Sequence, residues 1–347
     1  MTTSKKNGSQ WAAQVGRLCR GYSFVIVFLA IMIVYFLTSN GLTWSGIMNV
    51  FRHSAVIGVM AIGMGLVCLT GEIDLSVGSA LALVSGFTVV VFNATDSISV
   101  ALIFALLFGA ICGLVNGVLV GLIEVPAFIA TLATMLIYRS FAQYFCQHID
   151  KTLLGGGSSV YRASNGLEHY KALYSFGNSR IATIPIVGIV LVAATIVFVL
   201  LAVCTKYGKK IYAVGSNAKA ARMAGINVPL VKMSVFTISG LLVGLAAFLW
   251  TAMNASSDPA TTGKSYEMYA IAAVVLGGIS MSGGKGRIIG VLFGAMSYTI
   301  LDKIIVALKM DSLINDAVKG IILIVVIVIQ ISAPRIREYI SSRRQSD

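Results

Sequence analysis

The chain has 347 residues, 57% of them hydrophobic and 11% charged, with 26 Lys and Arg against 13 Asp and Glu. Soluble domains carry roughly 25% charged residues, so this chain could not cover a water-facing surface; a soluble enzyme, a disordered segment and a collagen-like or coiled-coil rod are excluded together. The net charge of +13 sits in short basic runs between apolar segments, which is the pattern of a polytopic membrane protein and not of a nucleic-acid face, where Lys and Arg cluster with aromatics.

Crossing ~30 Å of hydrocarbon as a helix takes roughly 20 apolar residues. Ten stretches meet or approach that need: 22–38, 47–69, 76–93, 97–122, 127–146, 183–204, 230–253, 268–280, 287–308 and 316–333. The expected fold class is therefore an all-α membrane protein of about ten transmembrane helices, a transmembrane body over 22–333 with short tails at 1–21 and 334–347. Segment 268–280 is short by this rule, and reads either as a helix reaching back toward Gly263 or as a broken half-helix. The first span follows Lys5, Lys6, Arg17 and Arg20, as in a signal peptide, but nine further spans and no small-residue cleavage site make it a retained anchor.

With the N-terminus inside, the cytoplasmic segments are the first tail, 205–229, 281–286 and the last tail; with their flanks they hold 16 of the 26 Lys and Arg. Positive charge concentrates on the cytoplasmic side of membrane proteins, so both termini are expected there. The long outer loop, 147–182, contains Gly155, Gly156 and Gly157 followed by Tyr161, Tyr170 and Tyr174. In the long inner loop, 205–229, Asn217 can cap a short helix from Ala218 to Ala224, stopped by Gly225 and finished by Pro229. Such a basic, alanine-rich helix reads equally as a docking surface for a cytoplasmic protein and as an ordinary positive-inside loop.

Gly109, Gly113, Gly117 and Gly121 recur every four residues, and Gly240/Gly244 and Gly290/Gly294 repeat that spacing. Small residues so placed let helix backbones approach closely in lipid. A shift of 192 residues lays the block from Thr70 onto the block from Thr262, with coincidences at Thr70/Thr262, Gly71/Gly263, Ala80/Ala272 and Gly86/Gly278. Each block is a polar, acidic turn feeding a small-residue helix; five spans apart, the two turns are expected on opposite faces, as in the inverted repeat of many transporters.

Catalytic motifs are missing. The five cysteines form no C-x-x-C pair, the three histidines lie at span ends or in the outer loop, and S-G-G-K-G (Ser282–Gly286) lacks the Ser/Thr after its lysine that a phosphate loop requires. No cofactor is expected in this chain. Charges in or near lipid are functional candidates because they are costly there: Glu72 and Asp74 after the second span, Glu124 before Pro126, Arg139 beside Tyr138 deep in the fifth span, Asp302 and Lys303 in the ninth. Asp316 and Lys319, three residues apart, read as local compensation; Asp302/Lys303 stays open between compensation and function. A stand-alone secondary carrier using Arg139, Asp302 and Lys303 is the alternative that these charges allow.

Four stretches carry a resemblance: G-E-I-D-L-S-V-G-S (Gly71–Ser79), V-P-A-F-I-A-T-L-A-T-M (Val125–Met135), G-S-N-A-K-A-A-R-M-A-G-I-N-V (Gly215–Val228) and A-I-A-A-V-V-L-G-G-I-S-M-S-G-G-K-G (Ala270–Gly286). In order and over about 45–333, they resemble the permease family of bacterial ribose/xylose/arabinose/galactoside-type ABC importers. The resemblance implies a location in the bacterial cytoplasmic (inner) membrane and a pair of permeases, homodimer or heterodimer, forming the channel. It implies an ABC ATPase subunit docked inside, holding ATP and Mg, and an extracytoplasmic sugar-binding protein outside. It places Asn217, Ala221, Arg222, Ala224 and Gly225 in the helix that couples to the ATPase, which resolves the open reading of that loop. It also implies that the Gly71–Ser79 and Ala270–Gly286 blocks line or gate the path at the dimer axis; taken with the charges that are costly in lipid, the expected translocation path or gate is Gly71, Asp74, Ser76, Gly78, Tyr138, Arg139, Tyr266, Glu267, Asp302 and Lys303.

Departures cluster in the outer half. Where the resembled family usually reads G-Y-E-L-D-A-I-A-A, this chain reads S-Y-E-M-Y-A-I-A-A, with Tyr269 in place of the acid. Met253 replaces a common Arg, one residue is inserted between Pro259 and Tyr266, and the N-N-G-L-N-L-L-G stretch gives way to Leu301-Asp302-Lys303-Ile304. The expected substrate is thus left at a monosaccharide or related small polar solute.

Overall fold

The computed structural model describes residues 23–39, 43–157 and 159–309, together with 314, 317–322, 324, 325 and 328. Its helices include α1 (Ser23–Thr38), α2 (Trp44–Leu69), α3 (Val77–Thr95), α4 (Ile98–Gly117), α5 (Ala127–His148), α6 (Tyr170–Asn178), α7 (Ile186–Cys204), α8 (Lys206–Ser216), α9 (Ala218–Met223), α10 (Val228–Asn254), α11 (Tyr266–Leu276) and α12 (Ile288–Ala307). Polar residues punctuate these apolar runs where a side-chain oxygen can satisfy an orphan N–H of the first turn. Thr43 Oγ1 accepts from Gly46 N at 3.1 Å to open α2, and Asn227 Oδ1 accepts from Leu230 N at 3.1 Å to open α10, whose first turn carries Pro229.

Among the described residues, six helices are long and apolar enough to cross a membrane: α2, α3, α4 with its continuation to Leu122, α7, α10 and α12. The protein is an all-α membrane protein by that measure. α5 has 22 residues but dilutes its apolar run with Thr131, Thr134, Arg139 and Gln143. The short segment 268–280 resolves as the half-helix, only 11 residues from Tyr266 to Leu276. The last expected span, 316–333, lies largely outside the described residues.

α2 is the central post: every residue from Ser54 to Leu69 is buried, and α7, α10, α11 and α12 pack around it. The periphery is the reverse. Ile103, Leu107 and Ile111 on α4, and Val197, Leu200 and Val203 on α7, stand more than half exposed, as side chains facing hydrocarbon can.

α4 and α10 are the most intimate pair, and glycine is the reason. A Cβ on Gly113 would stand 2.8 Å from Gly240 Cα, and one on Gly109 would stand 2.7 Å from Gly244 Cα. Where lipid tails compete equally for apolar side chains, helices associate through close backbone contact, and the four-residue glycine spacing supplies it. α4 then ends in a π-helical turn, Val118–Leu122, before Glu124 takes a left-handed φ of 62°.

One end of the bundle is basic, formed by α8, α9 and the segment 277–287. Ser282–Gly286 is more than an exposed turn: Gly284 N donates to Leu69 O at 2.9 Å, and Tyr212 Oη donates to Gly286 O at 3.0 Å. At the opposite end the 147–182 loop is folded onto the helices. Its strand β1 (Tyr161–Arg162) pairs antiparallel with β4 (Ser256–Ser257), and a small hairpin joins β2 (Arg180–Ile181) to β3 (Ile184–Pro185). Tyr161 is fully buried and donates from Oη to Ala142 O at 2.8 Å. Asp96 accepts the Glu168 and His169 N–H groups at 3.0 and 3.1 Å, so the Asp96/Glu168/His169 group works as a loop clamp.

Gly113→Leu is expected to drive α4 and α10 apart and cost about 1–3 kcal/mol or more. Thermal unfolding in detergent would show this as a lowered Tm; a Tm equal to wild type would mean that the glycine contact does not hold the pair.

Candidate translocation path and docking face

Two stretches of non-helical backbone interrupt the bundle, one after each long central helix. The first, 70–76, follows α2 at the basic end. Asp74 Oδ1 accepts from Ser76 N at 2.9 Å and from Ser76 Oγ at 2.7 Å. Asn116 of α4 donates to Ser76 Oγ at 2.7 Å, and Thr134 of α5 donates to Asn116 Oδ1 at 2.7 Å. Asp74, Ser76, Asn116 and Thr134 are all buried. Burial works to raise the Asp74 carboxyl above the ordinary carboxylate range, and the two Ser76 donors oppose it. Beside this network, Tyr138 donates to Cys112 O at 2.8 Å, while Glu72 pairs with Lys232 at the start of α10. Gly71, at φ 83°, makes the turn off α2 and lies over Ser282 and Gly283.

The second stretch, 255–265, enters from the opposite end and runs along α3. Ser257 and Ser85 share a 2.8 Å hydroxyl contact, and seven residues closer to the start of α3 a Cβ on Gly263 would stand 3.3 Å from Leu81 and overlap Gly78 O. The two stretches come from opposite ends and converge at the start of α3: Gly78, two residues past the first, lies beneath Gly263 and the Glu267 carboxylate, with no room for a side chain. The reason is that 255–265 is a re-entrant strand of irregular backbone and not a surface turn. Arg139 explains how it is tolerated. Its guanidinium donates to Pro259 O at 2.9 Å and to Thr262 O at 2.6 Å, within electrostatic reach of Glu267 and Asp258.

A third cluster closes the far side of α11. Lys319 pairs with Asp302 at 2.5 Å, and its Nζ stands 4.9 Å from the Tyr269 ring centroid and 5.1 Å from that of Tyr298. Lys319 thus meets an acid on a neighbouring helix; Asp316, the chain neighbour expected to compensate it, lies outside the described residues. Asp302 likewise turns away from Lys303, which is half-buried. Tyr269, standing where the resemblance leads one to expect an acid, presents a ring to Lys319 while Asp302 supplies the carboxylate. Met253 has no part in these clusters; its carbonyl accepts from Asn178 of α6 at 3.2 Å.

At the basic end, Asn217 Oδ1 accepts from Ala220 N at 3.0 Å and caps α9 as its sequence predicts. The helix ends at Met223, one residue earlier than expected, and Gly225 follows at φ 80°. Ala221 anchors it inward; Asn217, Arg222, Ala224 and Gly225 face outward, and Met223 is 90% exposed. Arg222 reaches Glu124 at 3.4 Å, with both side chains about two-thirds exposed (65% and 68%), a pair worth little in water.

The path residues read from sequence therefore separate into Gly71, Asp74, Ser76 and Tyr138 in the first cluster, Gly78, Arg139, Tyr266 and Glu267 around the second, and Asp302 in the third. Lys303 joins none of them by a described ion pair. Asn116, Thr134 and Lys232 escape sequence reasoning, and Lys319 is read there only as local compensation. Asn116 has a signal, a lone amide in the apolar, glycine-rich run Gly113–Gly117.

The family described as branched-chain amino acid transport system / permease component matches residues 46–327. The chain is 36% identical over 334 residues to the ribose import permease protein RbsC of Escherichia coli (strain K12), covering 95% of this chain and 98% of that protein. It is 36% identical over 310 residues to the ribose import permease protein RbsC of Bacillus subtilis (strain 168), covering 88% and 91%. It is 34% identical over 292 residues to the autoinducer 2 import system permease protein LsrC of Salmonella choleraesuis (strain SC-B67), covering 84% and 80%. No solved structure gives a significant match.

Asn116→Leu would remove the two bonds that tie Ser76 Oγ and Thr134 Oγ1 to α4, while each hydroxyl keeps another acceptor. Hydrogen bonds of this kind contribute roughly 0.5–1.5 kcal/mol each, so a lower Tm in detergent is expected; an unchanged Tm would show that the network carries no stability.

Proposed function

Because the chain belongs to the family of transport-system permease components that matches it over most of its length, we propose that it is the membrane-spanning subunit of an ATP-driven importer of a monosaccharide or related small polar solute. It is a multi-pass transport subunit and not an enzyme; ATP and Mg bind the partner ATPase. In this reading ten spans cross the bacterial cytoplasmic membrane, with the tails 1–21 and 334–347 and the basic end in the cytoplasm. The concentration of Lys and Arg at that end supports the orientation. The sequence of a long helix, a polar break and a second helix occurs twice, as α2, 70–76, α3 and as α10, 255–265, α11. The breaks open from opposite ends, which supports an inverted repeat.

The observation that carries the reading is α9. A capped, six-residue helix with a buried Ala221 and an outward Met223 flanked by Lys219 and Arg222 is built to be held rigidly and touched from outside. The ATPase seats on Asn217, Arg222, Ala224 and Gly225 while Ala221 couples the helix to the bundle from its buried side, a second permease completes the channel, and a solute-binding protein delivers cargo at the loop end. Closure of the ATPase pair pushes α9, and Glu72–Lys232 at the foot of α10 links that motion to the 70–76 break. The two permeases then rock to expose the path first to one side and then to the other.

Arg222→Glu combined with Gly225→Leu is expected to lower uptake by roughly tenfold or more, equivalent to about 1.4 kcal/mol of lost coupling, in vesicles that also contain the ATPase and the loaded binding protein. Uptake at the wild-type rate would remove α9 from the coupling role. Uptake by this chain alone, insensitive to ATP, would overturn the importer reading itself.

A further inference from the structure

α5 lies at the rim of the bundle and packs chiefly on α3. Thr131, Thr134, Tyr138 and Ala142 belong to the stripe that it buries there, and the rest of its surface divides into two exposed sectors. One is apolar and aromatic, with Ile137, Phe141, Tyr144 and Phe145; the Phe141 and Phe145 ring centroids lie 6.0 Å apart. That sector suits hydrocarbon. The other consists of Ile129, Ala133, Leu136, Ser140, Gln143 and Gln147, every one of them exposed. Steps of four and three residues alternate along this set, which is the a/d spacing of a helix-to-helix seam. At 3.6 residues per turn the seam falls on the side of α5 opposite its buried stripe.

The seam is wrong for lipid and right for another helix. Among the described residues, neither Ser140 nor Gln143 has a side-chain hydrogen-bond partner, and hydrocarbon supplies none. In membranes small residues let helices approach closely, and amides and hydroxyls bond across the contact; Ala133 and Ser140 provide the first, Gln143 and Gln147 the second. The described part of the last expected span does not cover the seam, because Lys319 meets Asp302 of α12 and Ile322 packs with residues of α1, α2 and α12.

The seam carries no charged side chain. Two like copies in one membrane relate by a two-fold axis along the membrane normal, which runs α5 parallel to its counterpart and sets each seam residue opposite itself. Serine and glutamine both donate and accept hydrogen bonds, so identical residues satisfy one another, where Lys or Glu would repel. We infer that the seam Ile129–Gln147 seats the second permease, and that this partner is a second copy of this chain. The same pairing covers the flank of α5 that bears half-buried Arg139, which holds the carbonyls of Pro259 and Thr262, so the path is incomplete without the copy. This pairing rests on the importer reading, which calls for two permeases and leaves open whether they are alike.

Cys19→Ser with Cys204→Ser leaves only Cys68, Cys112 and Cys146, all buried. In that background the full-length chain with Ser140→Cys or Phe141→Cys is expressed with its ATPase and oxidised in the membrane by copper phenanthroline. Ser140→Cys is expected to give a reductant-sensitive species of twice the 36.7 kDa chain mass; Phe141→Cys, in the aromatic sector, is not. Two differently tagged copies should co-purify. Gln143→Leu should weaken their association by roughly threefold to tenfold on dilution, while Gln143→Asn, which keeps an amide, should lose less and guards against a fold defect. Linkage through Phe141→Cys as strong as through Ser140→Cys, or co-purifying copies without a Ser140→Cys link, would overturn the seam. Copies that fail to co-purify while the ATPase is retained would overturn the like-with-like pairing alone, whereas failure of the wild-type chain to hold the ATPase removes the importer reading beneath it.

Discussion

Hydrocarbon offers no water to an unpaired N–H or C=O, and each one left open costs several kcal/mol. Helices meet that demand within themselves; the segments 70–76 and 255–265 cannot. Much of the polar chemistry of the protein follows from their presence. Within the first break Asp74 takes up the Ser76 N–H, and Asn116 and Thr134 reach in from α4 and α5 to hold Ser76 Oγ; Arg139 of α5 takes up two carbonyls of the second. The places where the chain abandons the helix are also where acidic and aromatic side chains gather, because only there can they escape lipid.

Close packing makes those breaks possible. Glycines on α4 and α10 let two helices touch backbone to backbone, and Gly78 leaves space for the re-entrant strand and the Glu267 carboxylate to lie directly on α3. A methyl group at Gly78 would displace the strand, not merely fill a gap. At the basic end Gly215, Gly283 and Gly284 perform the same service, bringing α8 and the 280–286 turn onto the end of α2. Helix α9 is thereby mounted on the same rigid foundation as the first break, and the proposed transmission from α9 to the 70–76 segment needs few intermediaries.

The distribution of charge divides by burial. Arg222–Glu124 is open to water and contributes little to stability, which leaves both groups available to a partner. Lys319–Asp302 is different: the lysine is 8% exposed and seated against two tyrosine rings. Removing one member of such a buried pair is strongly destabilising because the other charge is stranded, so this cluster ties the stretch around Lys319 to α11 and α12.

By itself the sequence determines the class, the approximate helix positions, the glycine contacts and the α9 cap, because each depends on local information: run length, four-residue spacing, and an Asn placed three residues before the N–H that it caps. It also marks Asp74 and Arg139 as unusual, since a charge inside an apolar run is visible without coordinates. Only the tertiary structure decides what those charges meet. Arg139 has no acid near it in the chain, and its partners are carbonyl oxygens at Pro259 and Thr262, more than a hundred residues away. The fold brings Lys319 to Asp302, an acid that spacing in the chain does not point to. Asn116 is easily passed over because a single amide has no periodicity to betray it. Counting spans as full crossings sets the two polar turns apart; α11 is only a half-helix, so the strand before it descends to Gly78. A half-crossing is invisible to a rule based on hydrophobic length, since the energy that permits it comes from distant side chains closing its hydrogen bonds.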